Sequence, residues 1–294
     1  EVAADPFITD PNLSDTDGDG VGDALELELE TDPTDPDSRP QGTGSSIGIN
    51  FNSDRDLAIA QMAPEDVAGH PDVAQSNWNN TNGGIDSAGG ANGDETTLLS
   101  PAPGSLVDSE GVPTGVTVTW SSNGTWNTNN GGSSGDNKMM NGYIDNINAE
   151  GFCRVDFENI TYPNYDVYVY FGSDGNGRTG WVESTTAGEI ISYSTNSQQG
   201  GLFPDSYLLT EDDANGNPSA NYCVFRGQNS SSFSVQINRG SANSGIHGIQ
   251  IVGTPPPADA DEDGLPDAWE EANGLSIADD GSIDVNNGPD GDPD

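Results

Sequence analysis

Basic residues are almost absent from this chain, and their scarcity excludes whole classes of partner. The 294 residues contain 7 Lys and Arg against 49 Asp and Glu, which gives a formal net charge of −42. Such an acidic balance repels nucleic acid and anionic membrane surfaces, and no basic patch offsets it. No apolar run approaches the roughly 20 residues that span a bilayer, so we expect no membrane insertion.

Histidine and cysteine are equally scarce. The two histidines, His70 and His247, stand far apart, so we expect neither a zinc site nor a histidine-based catalytic triad. Carboxylates for glycosidase chemistry are plentiful, but none stands in a recognisable catalytic motif, and we do not predict an enzyme. The two cysteines, Cys153 and Cys223, form either one disulfide, as an extracellular chain allows, or two buried thiols. The sequence favours the disulfide.

The acidic residues are concentrated near the two ends. Residues 1–38 hold 13 Asp and Glu without a single Lys or Arg, and residues 255–294 hold another 13, again without a base. Charge of that density either leaves a segment disordered or holds cations. We therefore divide the chain into an acidic segment at 1–41, a domain at 42–254 and a second acidic segment at 255–294.

The middle domain has the period-two pattern of β-strands. Apolar residues alternate with polar ones in segments that include Val116–Trp120, Cys153–Phe157, Tyr165–Phe171 and Phe233–Ile237. Glycine- and asparagine-rich turns separate these segments, and helical periodicity is lacking. The pattern predicts an all-β fold, an antiparallel β-sandwich. Residues 52–110 show little pattern, and we expect long loops there that decorate one end of the sandwich.

Two twelve-residue stretches match the EF-hand type of calcium loop. Such a loop takes oxygen ligands at positions 1, 3, 5, 7, 9 and 12 and needs glycine at position 6. Residues 15–26 satisfy every position, with ligands Asp15, Asp17, Asp19, the Val21 carbonyl, Asp23 and Glu26. Residues 259–270 match again, with ligands Asp259, Asp261, Asp263, the Leu265 carbonyl, Asp267 and Glu270. A short helix is predicted from Pro266 to Asn273, starting within the second half of this loop.

Electrostatic repulsion makes calcium the expected cofactor of both loops. Carboxylates about 4 Å apart repel by roughly 4 kcal/mol per pair at an effective dielectric constant near 20. Ca²⁺ removes this penalty and tolerates irregular coordination by about seven oxygens better than Mg²⁺ does. Extracellular calcium is millimolar and saturates even loops with a Kd on the order of 10⁻⁴ M. We therefore expect the chain to be secreted and to work outside the cell or on its surface.

The acidic segments resemble the thrombospondin type 3 repeat and its bacterial relatives, and they are also similar to dockerin loops. The resemblance rests on Thr9-Asp10-Pro11-Asn12 before the first loop and on Thr31-Asp32-Pro33 after it. In that family a neighbouring Asp-Pro aspartate often adds a ligand, which makes Asp10 and Asp32 candidate calcium ligands. The pattern departs from the family at Arg39, where the next loop would place another aspartate.

Both ends of the sequence have the pattern of partial calcium loops. Glu1 stands where the final glutamate of a preceding loop would fall, and Asp292 and Asp294 match positions 1 and 3 of a following loop. These three residues are further candidate ligands. The pattern is explained either by an arbitrary boundary or by a unit that repeats head to tail in a longer protein or fibre. In the second case other copies, or neighbouring modules, are the expected partners.

Exposed aromatic residues would indicate a polysaccharide partner instead. Trp78 and Trp126 are predicted to lie in asparagine-rich loops, where core packing explains an indole less readily than it does for Trp120. Trp181, Tyr143, Tyr168 and Tyr170 are further aromatic residues that could add to a sugar-stacking surface. The strand motifs Ile49-Asn50-Phe51, 165–171 and 248–251 make the domain similar to malectin-like and other jelly-roll carbohydrate-binding modules. That resemblance implies a jelly-roll-like sandwich and sugar binding, for which the two indoles expected to be exposed, Trp78 and Trp126, are the candidate residues.

Five Asn-x-Ser/Thr sequons permit N-glycosylation, at Asn12, Asn79, Asn123, Asn159 and Asn229. Taken together, the sequence predicts a calcium-stabilised structural module of a secreted surface protein or extracellular fibre. A carbohydrate-binding, adhesive module is the alternative, and a glycan-active enzyme is the third hypothesis.

Overall fold

The architecture comes from a computed structural model that describes most of the middle of the chain. The described residues are 46–253 without 54–59, 82–92, 96–97, 101–105, 113, 123, 130, 146–151, 197–202, 205, 214 and 240–242, together with Thr16, Thr34 and Ser276. The chain divides into two compact units, Glu1–Thr254 and Pro255–Asp294. The sandwich belongs to the first unit.

The regular structure of the described residues is mostly β-strand, and the bounds of one short helix and one 3-10 turn are described as well. The turn is Pro71–Val73. In chain order the elements are β1 (Ser46–Asn50), β2 (Asn79–Thr81), β3 (Gly93–Glu95), β4 (Leu98–Ser100), β5 (Thr117–Ser122), β6 (Gly124–Asn127), α1 (Gly135–Met139), β7 (Gly142–Asp145), β8 (Phe152–Glu158), β9 (Tyr165–Gly172), β10 (Thr179–Ser184), β11 (Glu189–Thr195), β12 (Ser219–Ala220), β13 (Tyr222–Gln228), β14 (Ser232–Arg239) and β15 (Gly245–Gly253).

The strands form two sheets. The first sheet has the order β13-β9-β15-β1-β2-β4, and β7 joins it beside β15 and pairs with β6. The second sheet has the order β12-β11-β10-β14-β8-β5-β3. Pairing is antiparallel except between β1 and β2 and between β11 and β12, which are parallel among the described strands. The predicted all-β sandwich is confirmed, while the jelly-roll connectivity stays a prediction.

Alternating side chains build the core between the two sheets. In β8 and β14 the residues Cys153, Val155, Phe233 and Val235 are buried, and they pack with Val167 and other inward residues of the first sheet. The polar residues between them point to the outer face, as the period of two requires. The strands that alternation predicted around Val118, Val155, Val167 and Val235 are therefore confirmed.

A second apolar cluster lies on the outer face of the first sheet. Met62, Ala68 and Trp78 pack there with Tyr168 and Tyr170 of β9. The expectation that residues 52–110 form loops at one end is therefore wrong, because this segment contributes strands to both sheets and covers a sheet face. The reason is that β9 carries apolar or aromatic side chains on both of its faces. Its outward tyrosines must therefore be covered by residues from elsewhere in the chain.

Both ends of the sandwich domain meet at one end of the sandwich, which we name the entry end. Ser46 at the start of β1 lies opposite Val252 near the end of β15. The turns after β8 and β13 reach the same end, because Tyr165 lies opposite both Gly253 and Gln228. The chain therefore enters and leaves the sandwich through neighbouring antiparallel strands.

The predicted disulfide is wrong, and the alternative of two buried thiols holds. Cys153 in β8 and Cys223 in β13 are both free and buried, and they belong to opposite sheets. Both thiols lie in the apolar core cluster, where a free cysteine packs as a small apolar side chain, so burial accounts for both residues without a covalent link. Burial raises the pKa of Cys153 to about 12 and also raises the pKa of Cys223, so both stay protonated and unreactive.

No helix in the described part of the chain is long and apolar enough to cross a bilayer.

Candidate functional site

Both predicted calcium loops, residues 15–26 and 259–270, have all their ligands outside the described residues. The same is true of the further candidates Glu1, Asp10, Asp32, Asp292 and Asp294. Within the described part of the chain, no group of three His, Cys, Asp or Glu residues is placed to hold a metal ion. The calcium sites thus stay predictions from the sequence.

Trp78 is not available as a sugar-stacking ring, and this prediction is wrong. Its side chain is 3% exposed, and the indole Nε1 donates to the Gln75 carbonyl at 3.0 Å. The ring packs against the backbone of Gly48, where an added Cβ would lie 2.7 Å from it, and near the ring of Tyr170. It fills the second apolar cluster because a large apolar ring gains more from burial there than from exposure. The tyrosines Tyr143, Tyr168 and Tyr170 are buried as well.

Trp126 is partly exposed, but it lies in a strand and not in a loop. It belongs to β6, where it pairs with Tyr143 of β7 in the first sheet. A sugar contact at this ring stays a prediction. Its position in a sheet shows that an asparagine-rich sequence does not rule out a strand.

The sequons differ sharply in accessibility. Asn79 is fully buried, and its Nδ2 donates to the carbonyls of Gly48 at 2.9 Å and Val107 at 2.8 Å, so the folded chain cannot carry a glycan there. Glycosylation at Asn79 is therefore a wrong prediction. Asn159 and Asn229 are exposed, in turns at the entry end, and glycosylation there stays a prediction. Asn12 and Asn123 lie outside the described residues.

Each Lys or Arg side chain that the structure describes is paired with an aspartate. Lys138 contacts Asp66, Arg178 contacts Asp174, Arg154 contacts Asp156 and Arg226 contacts Asp166. The two histidines are separate from these pairs and from each other, since His247 hydrogen-bonds to the Gly142 carbonyl and His70 stacks near Tyr222. In the described region, the cations are thus held by internal pairs, which gives no basic patch for an acidic ligand.

The outer face of the second sheet is an accessible polar surface, which we name the open face. It is formed by eight side chains of β10, β14, β8 and β5 that point away from the core, and none of the eight is buried. Alternation sets this direction, as with buried Val182 between Trp181 and Glu183. Its members are Trp181, Glu183, Ser234, Gln236, Arg154, Asp156, Thr119 and Ser121.

A row of hydrogen-bonding groups crosses the open face. Glu183 lies opposite Gln236, Gln236 lies opposite Arg154, and Arg154 lies opposite Ser121. The row covers three strand spacings, about 14 Å. Gln236 Nε2 donates to Glu183 Oε2 at 2.8 Å, so the two side chains hold each other in position.

The next part of the open face is a charged network around Asp156. Arg154 donates to both carboxylate oxygens, through Nε at 3.0 and 2.8 Å and through Nη2 at 2.7 Å, and Ser234 Oγ also donates to Asp156. Partial burial acts to raise the pKa of Asp156, but the hydrogen bonds from Arg154 and Ser234 outweigh it and lower the pKa. The hydrogen bond to Asp156 raises the pKa of Arg154, so both groups stay charged.

A loop beside β11 fixes the indole of Trp181 on the open face. Trp181 Nε1 donates to Asn215 Oδ1 at 2.7 Å, and Asn215 has a positive φ of 62°. The loop is anchored to Ser192, the β11 residue opposite Trp181, by bonds from Asn217 N to Ser192 Oγ at 3.2 Å and from Ser192 N to the Asp212 carbonyl at 2.7 Å. The ring is thus oriented while part of it stays exposed.

Trp181 is a candidate site residue that sequence reasoning misses, because the local sequence marks it only as one of several aromatic residues. The available signal was its phase, because Trp181 alternates with the apolar Val182 and so points away from the core, whereas Trp120 is in phase with Val118. Comparison with known proteins adds nothing to this geometry, since no protein-family model matches the chain and no curated protein matches it either.

Proposed function

We propose that the chain is a calcium-stabilised structural module of a secreted cell-surface protein or extracellular fibre. The observation that carries the proposal is the pair of complete twelve-residue calcium loops, residues 15–26 and 259–270, on either side of the sandwich in the sequence. Each loop contains five ligand carboxylates, and their mutual repulsion disfavours the folded loop without a divalent cation. The free energy of calcium binding therefore contributes directly to the folding of these segments.

The sandwich suits a structural role because internal bonds hold its described cations and many of its buried amides. The described Lys and Arg side chains are paired, and buried amides such as Asn79 hold loops in place. The free thiols remove one argument for an oxidising compartment, so the proposal of an extracellular location rests on the calcium loops alone. Buried, protonated thiols resist oxidation and are compatible with that location.

Calorimetry on decalcified protein tests the proposal. We expect Ca²⁺ to bind with at least two sites and to raise Tm, because a ligand at 100 times its Kd stabilises the folded state by about 2.7 kcal/mol. The variant pairs Asp17→Asn with Glu26→Gln, and Asp261→Asn with Glu270→Gln, should each remove one site. Asp213→Asn, an exposed change of the same charge outside the loops, should remove none.

An absence of calcium-dependent heat together with an unchanged Tm would overturn the calcium proposal. Assembly is tested separately, by electron microscopy with and without EDTA. A fibre subunit should form regular filaments in calcium that soften or disperse when calcium is removed. Calcium binding without filaments would leave a stabilised surface module and would exclude self-assembly as its role under those conditions.

A further inference from the structure

We propose that the open face binds a neutral polysaccharide, with Trp181 stacking on a sugar ring and the row from Glu183 through Gln236 to Arg154 hydrogen-bonding to sugar hydroxyls. The proposal concerns residues of the sandwich only and does not depend on the calcium proposal.

Trp181 supplies the apolar part of the site. An indole has a large flat face, and its partial exposure on a polar sheet is a cost that folding alone does not require, because Trp120 of β5 in the same sheet points inward and is 3% exposed. The bond from Nε1 to Asn215 satisfies the polar edge of the ring and fixes its orientation. A sugar ring can therefore stack on Trp181 without first paying to order it.

The polar row supplies the directional part of the site. Carboxylate, amide, guanidinium and hydroxyl groups each take part in several hydrogen bonds, and a sugar presents hydroxyls that donate and accept. Gln236 holds Glu183, and Asp156 with Ser234 holds Arg154, so these side chains lose little conformational entropy on binding. With Ser121, which lies opposite Arg154, the row is about 14 Å long, which suits an extended chain of several sugar units better than a single small molecule.

Charge selects among polysaccharides. The one described cation of the open face, Arg154, is paired with Asp156, and Glu183 adds a further negative charge. The chain as a whole carries a net charge of −42. An acidic glycan would meet repulsion both at the site and over the whole surface, whereas a neutral one would meet none. The outer face of a sandwich sheet is also commonly polar simply because it is solvated. The oriented indole of Trp181 is the feature that favours a sugar-binding face over an ordinary solvated one.

Affinity gel electrophoresis tests the proposal on the full chain in millimolar calcium. Gels contain mixed-linkage β-glucan, mannan or amylose as neutral probes and polygalacturonate as the acidic control. We expect at least one neutral probe to retard the wild type, and Trp181→Ala to weaken the fitted affinity about tenfold or more. Trp181→Phe should keep part of it. Val112→Ala, the loss of an exposed apolar side chain outside the open face, should behave like the wild type. Trp126→Ala tests the separate prediction of a sugar contact on the first sheet.

Each other result overturns the inference. The proposal is wrong if no neutral probe retards the wild type, if only polygalacturonate does, or if Trp181→Ala migrates as the wild type does. Retardation that Trp126→Ala abolishes while Trp181→Ala preserves would place sugar binding on the first sheet instead. An unchanged melting temperature of Trp181→Ala serves as the folding control, and if that variant unfolds, Gln236→Ala takes its place with the same expected loss. Calorimetry with Ca²⁺ on the same samples keeps this outcome separate from that of the calcium loops.

Discussion

Asparagine side chains act as backbone substitutes along β2. Asn80 accepts from Met62 N at 2.9 Å and donates to the Met62 carbonyl at 2.9 Å, and Asn79 forms the same two-way pair with Val107. A side-chain amide presents an N–H donor beside its carbonyl acceptor, as a peptide group does, so it can extend a strand pairing sideways. These bonds explain how polar residues with almost no exposed surface are stable in this fold.

His247 makes stability depend on pH through burial. The side chain is 1% exposed, its Nδ1 lies 2.8 Å from the Gly142 carbonyl, and an added Cβ on Gly172 would lie 2.6 Å from Nε2. Desolvation lowers its pKa to about 4, although the hydrogen bond to Gly142 opposes part of the shift. The folded state thus holds a neutral ring, while the unfolded chain binds a proton near pH 6.5.

We therefore expect the contribution of His247 to be complete above pH 6.5 and to be lost as pH falls from 6.5 towards 4. For the uptake of one proton, the free energy of unfolding should fall by about 2 kcal/mol between pH 7 and pH 5. The variant His247→Asn keeps an N–H donor for the Gly142 carbonyl and does not titrate. Urea unfolding at both pH values, in saturating calcium, should show the wild type losing about 2 kcal/mol more than the variant. Parallel pH profiles would contradict the prediction.

At the scale of elements, the alternation of apolar and polar residues predicts strands that have one apolar and one polar face. It does not detect strands whose two faces have the same character. β8 and β14 have an apolar inner face and a polar outer face, which gives a period of two. β2 consists of Asn79, Asn80 and Thr81, all buried, and has no apolar residue to detect. Its stability comes from amide bonds to distant backbone groups, and a sequence pattern does not specify which backbone groups will lie nearby.

The candidate site shows the same limit in another form. Alternation could place Trp181 on the outer side of a strand, but its value as a binding surface depends on Asn215, which lies 34 residues away and orients the ring. In the same way, Trp78 has an asparagine-rich local sequence yet packs against Gly48. Tertiary neighbours decide whether an indole is exposed: Trp181 stays partly exposed, whereas Trp78 is buried.

The contact between α1 and the segment before β2 depends on Gly135. An added Cβ there would lie 2.0 Å from the Val67 carbonyl oxygen, while Lys138 of the same helix contacts Asp66. Gly135→Ala should therefore destabilise the protein by roughly 1 to 3 kcal/mol through overpacking. This holds even though alanine is favoured over glycine in a helix by about 1 kcal/mol.

Denaturant unfolding of Gly135→Ala beside Gly131→Ala is the measurement. An added Cβ at Gly131 would meet nothing within 4 Å, so this variant changes the same residue type in open space and should leave the free energy of unfolding nearly unchanged. A Gly135→Ala variant as stable as the wild type would show that α1 can move away from Val67 at no cost, and that the packing of this helix does not support the sheet face below it.

At the scale of the whole molecule, the position of the sandwich ends governs the response to tension. Ser46 pairs with Val252, so the chain enters through β1 and leaves through its antiparallel neighbour β15 at the same end. A load on the two chain ends would open this pair one residue after another, starting at the entry end. A load along the strands would instead shear all five β1–β15 residue pairs together. For the proposed fibre module, the sandwich would then be the weak point under end-to-end load.

Optical-tweezer measurements on the full chain in calcium can separate the two geometries. One attachment joins the two chain ends; the other joins the N-terminal end to an Asn176→Cys thiol, in the exposed turn between β9 and β10 at the opposite end of the sandwich. The native thiols are buried and should not compete for the label. We expect the sandwich to open at lower force in the first arrangement, because hydrogen bonds then break singly. Equal or higher force would mean that β1 stays held by β2 after losing β15, so that the β1–β2 pair and not the β1–β15 pair resists the load.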